Sequence, residues 1–327
     1  MTMQLRDLRL DLSDMQALTA LIEADLPEYY PRRSAEERLA ERVDATARPG
    51  MVALGSVVEQ DEQVVGISSV TNIRLDWVAG AVGIWIAVRA SHRRQGIARR
   101  IFEADLDRAR RAGSTWFITN VDDGETEAVG LAAALGFQIV DRGYNLRIDI
   151  GAWSPSQGGD VLARAADAGV EIVSLRDLQM QNDDWCRQLY DLSVAFIEDV
   201  PSYIAPHSID LIGGDLETFQ YKLDHDLCVD MEGSFVAIVD GVLAGTSWLR
   251  RVSPEICGHP LTGVRPEYRR RGLVKALKHR CFTWAHEQGV RYINTQQHES
   301  NAAMLALNKQ VGFEIKNSHA IMRYDFA

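Results

Sequence analysis

The sequence predicts two similar domains, each built from alternating strands and helices. The length of 327 residues is enough for about two domains with separate apolar cores. A charged, glycine-punctuated segment at Val88–Phe137 returns with the same internal spacing 176 residues later, at Val264–Phe313. Such a repeat indicates two copies of one structural unit. Within each copy, hydrophobic patterns of period 2 and period 3.6 alternate, as strands and helices require.

Composition narrows the class of protein. The formal net charge is −11, so the chain is a poor general nucleic-acid binder and has no basic surface for anionic membranes, although it could attract cationic ligands. No apolar run approaches the roughly 20 residues of a membrane span, and the N-terminus lacks the apolar core of a signal peptide. We expect a cytoplasmic protein with no nucleic-acid and no membrane partner. The four cysteines lie far apart without a CxxC pair, which argues against a zinc site or a disulfide scaffold: Cys186, Cys228, Cys257 and Cys281.

The first copy reads as a series of short elements. Ser13 with Gln16 resembles a capping box, and Gly113 and Gly136 are placed to end helices. The predicted strands are Met3–Leu10, Met51–Gln60, Gln63–Ile73, Ala81–Val88, Thr115–Val121 and a strand beginning at Phe137. The predicted helices are Ser13–Ala24, Ser34–Val43, Ile97–Arg111 and Thr126–Leu135.

The second copy follows a turn-rich, polar stretch from Trp153 to Gly159, where we place the linker. A short helix at Ala163–Ala168 is predicted to bridge the domains, and the boundaries are 1–152, 153–169 and 170–327. The predicted strands are Glu171–Leu175, Phe235–Val239, Val242–Arg250, Ile256–Val264, Tyr292–Gln297 and Ile321–Phe326. The predicted helices are Asn182–Glu198, Leu273–Glu287 and Ala302–Gln310.

Each copy places a charged loop with one glycine between a buried strand and a helix. Backbone N–H groups at a helix start lack intrahelical partners and carry partial positive charge. Glycine lets a ligand approach them closely, so the pattern is typical of a phosphate cradle. The alternative is a solvated basic loop that only caps a helix, and two copies with the same downstream spacing disfavour it.

Two motifs resemble those of the GNAT acetyltransferase superfamily. The signature [Gln/Arg]-x-x-Gly-x-[Gly/Ala] reads here as Arg93-Arg94-Gln95-Gly96-Ile97-Ala98 and as Arg269-Arg270-Arg271-Gly272-Leu273-Val274. A second family segment, Asn-x-x-(Ala/Met)-x-x-x-Tyr-x-x-x-Gly-Phe, aligns with Asn301, Met304, Asn308, Gly312 and Phe313, and in the first copy with Glu125, Ala128, Ala132, Gly136 and Phe137. Tandem members such as mycothiol synthase share the two-copy layout.

The resemblance implies the fold and the cofactor. Each α+β domain would carry a mixed, mostly antiparallel sheet flanked by helices, with acetyl-CoA in a cleft where two central strands splay. The loop amides would bind the pyrophosphate, and the preceding strand would hold the pantetheine and acetyl group. The implied CoA-binding residues are Val88, Arg93, Arg94, Gln95, Gly96, Ile97, Ala98 and Arg99 in the first copy, and Val264, Arg269, Arg270, Arg271, Gly272, Leu273, Val274, Lys275, Asn301 and Asn308 in the second.

The sequence departs from the family pattern in both copies. The tyrosine that often protonates the leaving thiolate is replaced by Asn308 and by Ala132, and neither is a useful acid. Glu125 stands where the first copy should have asparagine, and Val274 stands where the second should have Gly or Ala. We favour the second copy as the catalytic half because it keeps Asn301, while the first has the better cradle.

Acetyl transfer to an amine needs a base or a water chain to one. The candidates are His259 and Glu255, on or just before the predicted central strand, although a packed histidine and a turn residue are the alternatives. Asp199 and Tyr203 lie in a loop that often borders the acceptor site in this family and could select a cationic substrate. Their alternative is a loop that Pro201 separates from the preceding helix.

The leading hypothesis is an acetyl-CoA-dependent N-acetyltransferase whose acceptor is the primary amine of a small, cationic molecule. The loss of tyrosine in both copies also allows a CoA-binding regulatory pseudo-enzyme. A third hypothesis is acetylation of a protein lysine or N-terminus, since an acidic surface suits a basic peptide. The sequence does not define the acceptor or the oligomeric state.

Overall fold

The computed structural model describes residues 3–25, 33–47, 50–72, 78–157, 159–198, 215–225 and 229–326. By contacts the chain divides into two compact units. The first contains Met1–Val140 together with Ala320–Ala327, and the second is Asp141–His319. None of the helices in the described ranges is both long and apolar enough to cross a membrane.

The first unit follows the predicted order of elements. Its strands are β1 (Gln4–Asp7), β2 (Ala53–Leu54), β3 (Ser56–Gln60), β4 (Gln63–Thr71), β5 (Ala81–Val88) and β6 (Trp116–Asp122), followed by the start of β7 (Gln138–Asp149). Its helices are α1 (Leu12–Asp25), α2 (Ala35–Thr46), α3 (Ile97–Arg111) and α4 (Thr126–Ala134).

The sheet of the first unit is mixed and mostly antiparallel. Its strands lie in the order β1, β3, β4, β5, β6, followed by the C-terminal part of the last strand of the chain. Within this order β5 and β6 run parallel, whereas β1–β3, β3–β4 and β4–β5 are antiparallel. Helix α3 packs on one face through Phe102, and α1 packs on the other through Met15.

The second unit contains the remaining elements. Its strands are the rest of β7, then β8 (Val170–Ser174), β9 (Phe235–Val239), β10 (Val242–Ser247), β11 (Arg250–Ser253), β12 (Ile256–Gly258), β13 (Thr262–Val264), β14 (Tyr292–His298) and the start of β15 (Glu314–Asp325). Its helices are α5 (Gly159–Asp167), α6 (Leu175–Gln181), α7 (Trp185–Ile197), α8 (Leu216–His225), α9 (Leu273–Glu287) and α10 (Ala302–Gln310).

Two groups of strands build the sheets of the second unit. One is ordered β13, β10, β9, β8 and is antiparallel, and the other runs β7, β14, β12, β11. The pair β12–β14 is parallel, as β5–β6 is in the first unit, and β7–β14 is antiparallel. The α+β class with mixed, mostly antiparallel sheets flanked by helices is therefore confirmed.

Each unit is completed by a strand that belongs, in sequence, to the other copy. A Cβ on Gly136 would meet the ring of Tyr324 at 3.1 Å, and one on Gly312 would meet Ile148 at 3.1 Å. Both glycines have φ of +101°, and both contacts are offset by 176 residues. Gly136 and Gly312 thus turn the chain where an incoming strand packs closely, which explains why this position has no side chain.

A repeated cation–π contact marks the same exchange. The Arg323 guanidinium lies 4.1 Å from the ring centroid of Trp116, and the Arg147 guanidinium lies 4.2 Å from that of Tyr292. These pairs are again in register at an offset of 176. The linear boundaries 1–152 and 170–327 describe the repeat in sequence. The compact units differ from them because β7 and β15 are exchanged.

Several predicted elements need correction. The helix predicted at Asn182–Glu198 is shorter, since Asn182 has extended backbone and separates α6 from α7. Ile256–Val264 is not one strand, because Pro260 cannot donate to a ladder and the chain leaves β12 there. The final strand begins at Glu314 rather than Ile321, and helix α8 was missed.

Candidate active site

The two Arg/Gly loops have the same backbone. Arg94 and Arg270 adopt φ of +64° and +63°, and Gly96 and Gly272 adopt +78° and +82°. Each glycine is the N-cap of the following helix and has no side chain to cap it. The first N–H groups of α3 and α9 therefore have no intrahelical partner and point at the space before the helix, as an anion site requires.

The repeated arginines of both loops are exposed, and one in each loop also bonds to the strand before it. Nε of Arg93 donates to Val88 O at 3.1 Å, and Nε of Arg269 donates to Val264 O at 3.2 Å. These bonds tie the loop to the end of the preceding strand. Arg94 and Arg270 are exposed beside the cradle.

The other predicted cradle residues differ in what they offer to a ligand. Ile97 and Leu273 are buried, so their backbone N–H groups, not their side chains, face the cradle. The Arg271 guanidinium lies 5.2 Å from the ring centroid of Tyr268, and Arg99 donates to Ala134 O at 3.3 Å. The remaining predicted positions are the exposed Gln95, the half-buried Val88, Ala98, Val274 and Lys275, and the buried Val264.

A gap opens between the parallel strands of each unit. In the first, β5 and β6 pair from Ala81–Trp116 to Gly83–Ile118, although both strands continue. In the second, β12 and β14 pair up to Gly258–Asn294, and His259 N donates to Asn294 O at 2.8 Å. The chain then turns away to β13, which pairs with β10. Each cradle follows the strand that leaves the gap, so an extended ligand can run from the gap to the cradle.

The second family segment is built differently in the two units. Asn301 is the N-cap of α10, and its Oδ1 accepts the N–H of Met304 at 3.2 Å, whereas Glu125 makes no side-chain cap bond to α4. Asn308 is 1 % exposed, and its Oδ1 has no hydrogen-bond partner among the described residues. Ala132 holds the corresponding position in the first unit and is buried.

His259 lies at the gap within a buried polar cluster. Its Nε2 lies 2.9 Å from Ser247 Oγ and 3.4 Å from Thr262 Oγ1, and the side chain is 4 % exposed. Nζ of Lys278 lies 3.5 Å from Nδ1 and 3.4 Å from Nε2 of the same ring. Burial, and then the neighbouring Lys278, hold the pKa of His259 well below its usual value, so the imidazole is neutral.

The other predicted site residues lie elsewhere. Glu255 is in an exposed turn before β12, at the opposite end of that strand from His259, and its carbonyl accepts the N–H groups of Arg291 and Tyr292. Asp199 and Tyr203 lie outside the described residues.

Two features of the second unit were missed by sequence reasoning. Lys278 lies in α9 and is 1 % exposed. The sequence did indicate that this position is buried, because the residue in register in the first copy is the apolar Phe102. The second feature is Nδ1 of His298, 3.0 Å from Oδ2 of Asp141. That pair was not predictable because Asp141 belongs to the first copy in sequence and reaches the second unit by strand exchange.

Among the described residues, no group of three or more His, Cys, Asp or Glu side chains is arranged to hold a metal ion. Three of the four cysteines, Cys186, Cys257 and Cys281, are free and buried. The fourth, Cys228, lies outside the described residues.

Comparison with solved structures finds the same two-unit architecture. A tandem GNAT protein from the clavulanic acid biosynthesis pathway is 18 % identical, with 99 % of this chain and 98 % of that chain covered and a TM-score of 0.71. A GCN5-related N-acetyltransferase from Sphaerobacter thermophilus is 18 % identical, with 98 % and 95 % covered and a TM-score of 0.72. At such identities the likeness shows the fold alone.

A third similar structure is the glucosamine N-acetyltransferase region of a fungal multi-domain GH3 β-N-acetylglucosaminidase. It is 14 % identical, with 99 % of this chain and 38 % of that chain covered and a TM-score of 0.71. A comparison with curated proteins gives no significant match.

The family profile of the acetyltransferases matches each copy once. The matched residues are 15–137 and 203–313, more than half of the chain, and each match ends at a Gly-Phe pair. This chain belongs to the acetyltransferase (GNAT) family.

Proposed function

We propose that this protein is an acetyl-CoA-dependent N-acetyltransferase that acts on a primary amine of a small, cationic molecule. The observation that carries the proposal is the pairing, in each unit, of a strand gap with an uncapped helix N-terminus behind Gly96 or Gly272. A Cβ on either glycine would meet nothing within 4 Å, so the space before each helix is open to a diphosphate. The net charge of −11 favours a cationic acceptor.

The second unit is proposed as the catalytic half. Its gap contains His259, where the first unit has Gly83 in register. It also retains Asn301 as a helix cap, where the first unit has Glu125. The first unit has no imidazole in register at its gap, so a scaffold or a binding role suits that unit better than proton transfer.

His259 is the proposed base. Attack on a thioester needs a neutral amine, and the neutral imidazole at the end of the β12–β14 ladder can accept the ammonium proton. Glu255 stays a weaker candidate because it lies at the far end of β12. Asp199 and Tyr203 remain proposed acceptor-binding residues, with the carboxylate matching a cationic substrate.

Calorimetric titration of acetyl-CoA into Gly272→Glu and Gly96→Glu variants tests which cradle binds the cofactor. The added carboxylate would project into open space at the helix start and repel the diphosphate. We expect Gly272→Glu to weaken binding at least about 100-fold, equivalent to roughly 3 kcal/mol. We also expect Gly272→Glu, but not Gly96→Glu, to abolish turnover.

Gly289→Glu and Gly113→Glu are matched controls. These glycines follow the C-termini of α9 and α3, have φ of +69° and +83°, and also face open space, so the substitutions impose the same backbone strain far from the cradles. Equal loss of binding in Gly289→Glu and Gly272→Glu would refute the cradle. Loss of turnover in Gly96→Glu alone would move the active site to the first unit.

A regulatory pseudo-enzyme is the second candidate, because Asn308 and Ala132 leave both units without the usual hydroxyl. It predicts tight CoA binding with no release of thiol across a panel of amines. Adding basic peptides to the same panel distinguishes acetylation of a protein lysine or N-terminus from acetylation of a small amine.

A further inference from the structure

Lys278 is a buried amine without an acidic partner. Its side chain is 1 % exposed, and it makes no ion pair within the described part of the chain. The groups that face it are the ring of His259, the thiol of Cys281 one turn along α9, and the ring of Phe313, whose centroid lies 5.5 Å from Nζ. A lysine in such surroundings is rare unless it has a role, because burying an unpaired charge is strongly unfavourable.

The first unit also buries an ionisable side chain, and there hydrogen bonds and an ion pair stabilise it. Asp105, in register with Cys281, accepts hydrogen bonds from Ser56 Oγ at 2.6 Å and from Ser68 Oγ. Nη1 of Arg108 donates to the same carboxylate at 3.1 Å. That charge is paired and hydrogen-bonded, whereas Lys278 has neither a carboxylate nor a hydroxyl partner among the described residues.

Lys278 also lies where a ligand in the gap would reach it. The ladder between β12 and β14 ends at the bond from His259 N to Asn294 O, and Nζ of Lys278 lies within 3.5 Å of both ring nitrogens of that histidine. Among the described residues, the imidazole at the end of the ladder is therefore the one hydrogen-bond partner of this buried amine.

We propose that Lys278 protonates the thiolate of CoA as it leaves and that His259 returns a proton to Lys278, so that the two side chains form one proton relay at the gap of the second unit. The relay rests on the proposed acetyltransferase function. In the relay Lys278 is the acid that protonates the leaving thiolate, a role that neither Asn308 nor Ala132 can fill.

Each acetyl transfer returns His259 and Lys278 to the protonation states in which they began. His259 takes one proton from the substrate ammonium, and the neutral amine attacks the thioester carbonyl carbon. The C–S bond breaks, the sulfur leaves with the electron pair, and the Lys278 ammonium gives it a proton. The imidazolium then passes its proton to the neutral Lys278. The amide and the CoA thiol are the products, and the second amine proton goes to solvent.

The acidity of Lys278 suits this step. Burial lowers its pKa from 10.5 to about 7. An ordinary thiol has a pKa of about 8.5, so transfer from this ammonium to a thiolate is downhill. An unperturbed lysine would hold its proton too tightly to give it up.

The test measures the thiol of bound CoA directly. Thiolate absorbance of CoA bound to the wild type and to Lys278→Met is followed against pH. Lys278 and the thiol should titrate as a coupled pair, so that part of the thiolate absorbance appears near pH 7 in the wild type, and Lys278→Met should abolish that low-pH component. The rate of acetyl transfer to the fastest amine of the panel should fall at least 100-fold in Lys278→Met, without a change in the affinity for acetyl-CoA. Lys309→Met removes an exposed lysine and should change neither quantity.

The outcomes separate the two proposals. No binding of CoA by the wild type would overturn the proposed function and the relay together. Binding with the same thiol pKa in wild type and Lys278→Met would overturn the relay alone. Turnover that survives Lys278→Met with an unchanged pH profile would do the same while leaving the acetyltransferase intact.

Discussion

Lys278→Met is expected to stabilise the protein below pH 7 by roughly 5 kcal/mol. The ammonium is buried against Phe313 and His259 without a carboxylate, and methionine fills a similar volume without a charge. Burial lowers the pKa of Lys278 from 10.5 to about 7. Each unit of pKa shift corresponds to about 1.4 kcal/mol of free energy. The in-register residue Phe102 shows that this position of the helix accepts an apolar side chain.

The free energy of unfolding of the wild type should rise with pH because of Lys278. Below pH 7 Lys278 is charged in both the folded and the unfolded chain, so the full penalty of burial is present. Between about pH 7 and pH 10.5 the unfolded chain binds more protons than the folded one, so stability rises with pH. The wild type should therefore approach Lys278→Met in stability as the pH increases through this window.

Urea unfolding of both proteins at pH 7 and at about pH 10 measures this difference. The stability gap should shrink by a few kcal/mol at the higher pH, and Lys309→Met should show no such change relative to wild type. A gap that does not depend on pH would mean that Lys278 is not the titrating group. A less stable Lys278→Met at both pH values would contradict the burial penalty itself.

Tyr324→Ala is expected to destabilise the first unit by about 2 to 4 kcal/mol, although residue 324 belongs to the second copy in sequence. The Tyr324 ring packs at centroid distances of 5.2 Å from Phe102 and 5.5 Å from Phe137. It also closes over Gly136, where the chain turns. Truncating the ring leaves a cavity among these aromatics.

Hydrogen exchange read by mass spectrometry locates the effect of Tyr324→Ala. Faster exchange should appear in α3 and β6, with α9 and β14 unchanged. Ile148→Ala is the reciprocal variant, since Ile148 contacts Gly312 and lies in the core of the second unit, and it should speed exchange in α9 and β14. If Tyr324→Ala loosened β14 instead of β6, the exchange of strands would be wrong.

The repeat made much of the fold predictable from sequence. The glycines at 96 and 272 and those at 136 and 312 take special backbone angles at matching places, so their spacing carried real structural information. The exchange of β7 and β15 could not be predicted, because both partners of each contact have the same residue pattern and local periodicity does not say which copy a strand joins. Pro260 did signal the break in Ile256–Val264, because proline cannot donate to a ladder.

The backbone of the candidate site was predictable. The glycine spacing places both loops directly before a helix, as in the structure, whereas the role of the loops as phosphate cradles stays a prediction. Arg93 and Arg269 hydrogen-bond to the end of the preceding strand and so build the loop. Lys278 was overlooked because the sequence predicted a helix at Leu273–Glu287 without defining which of its faces is buried. Its burial became visible only when the helix was placed against β10 and β13.

A crystal structure with bound acetyl-CoA would show directly whether the second unit binds the cofactor, as we propose. We expect the diphosphate at the N–H groups that follow Gly272 and the thioester in the gap between His259 and Asn294, with the sulfur near Nζ of Lys278. Acetyl-CoA bound behind Gly96 alone, with the gap of the second unit closed, would contradict the proposal.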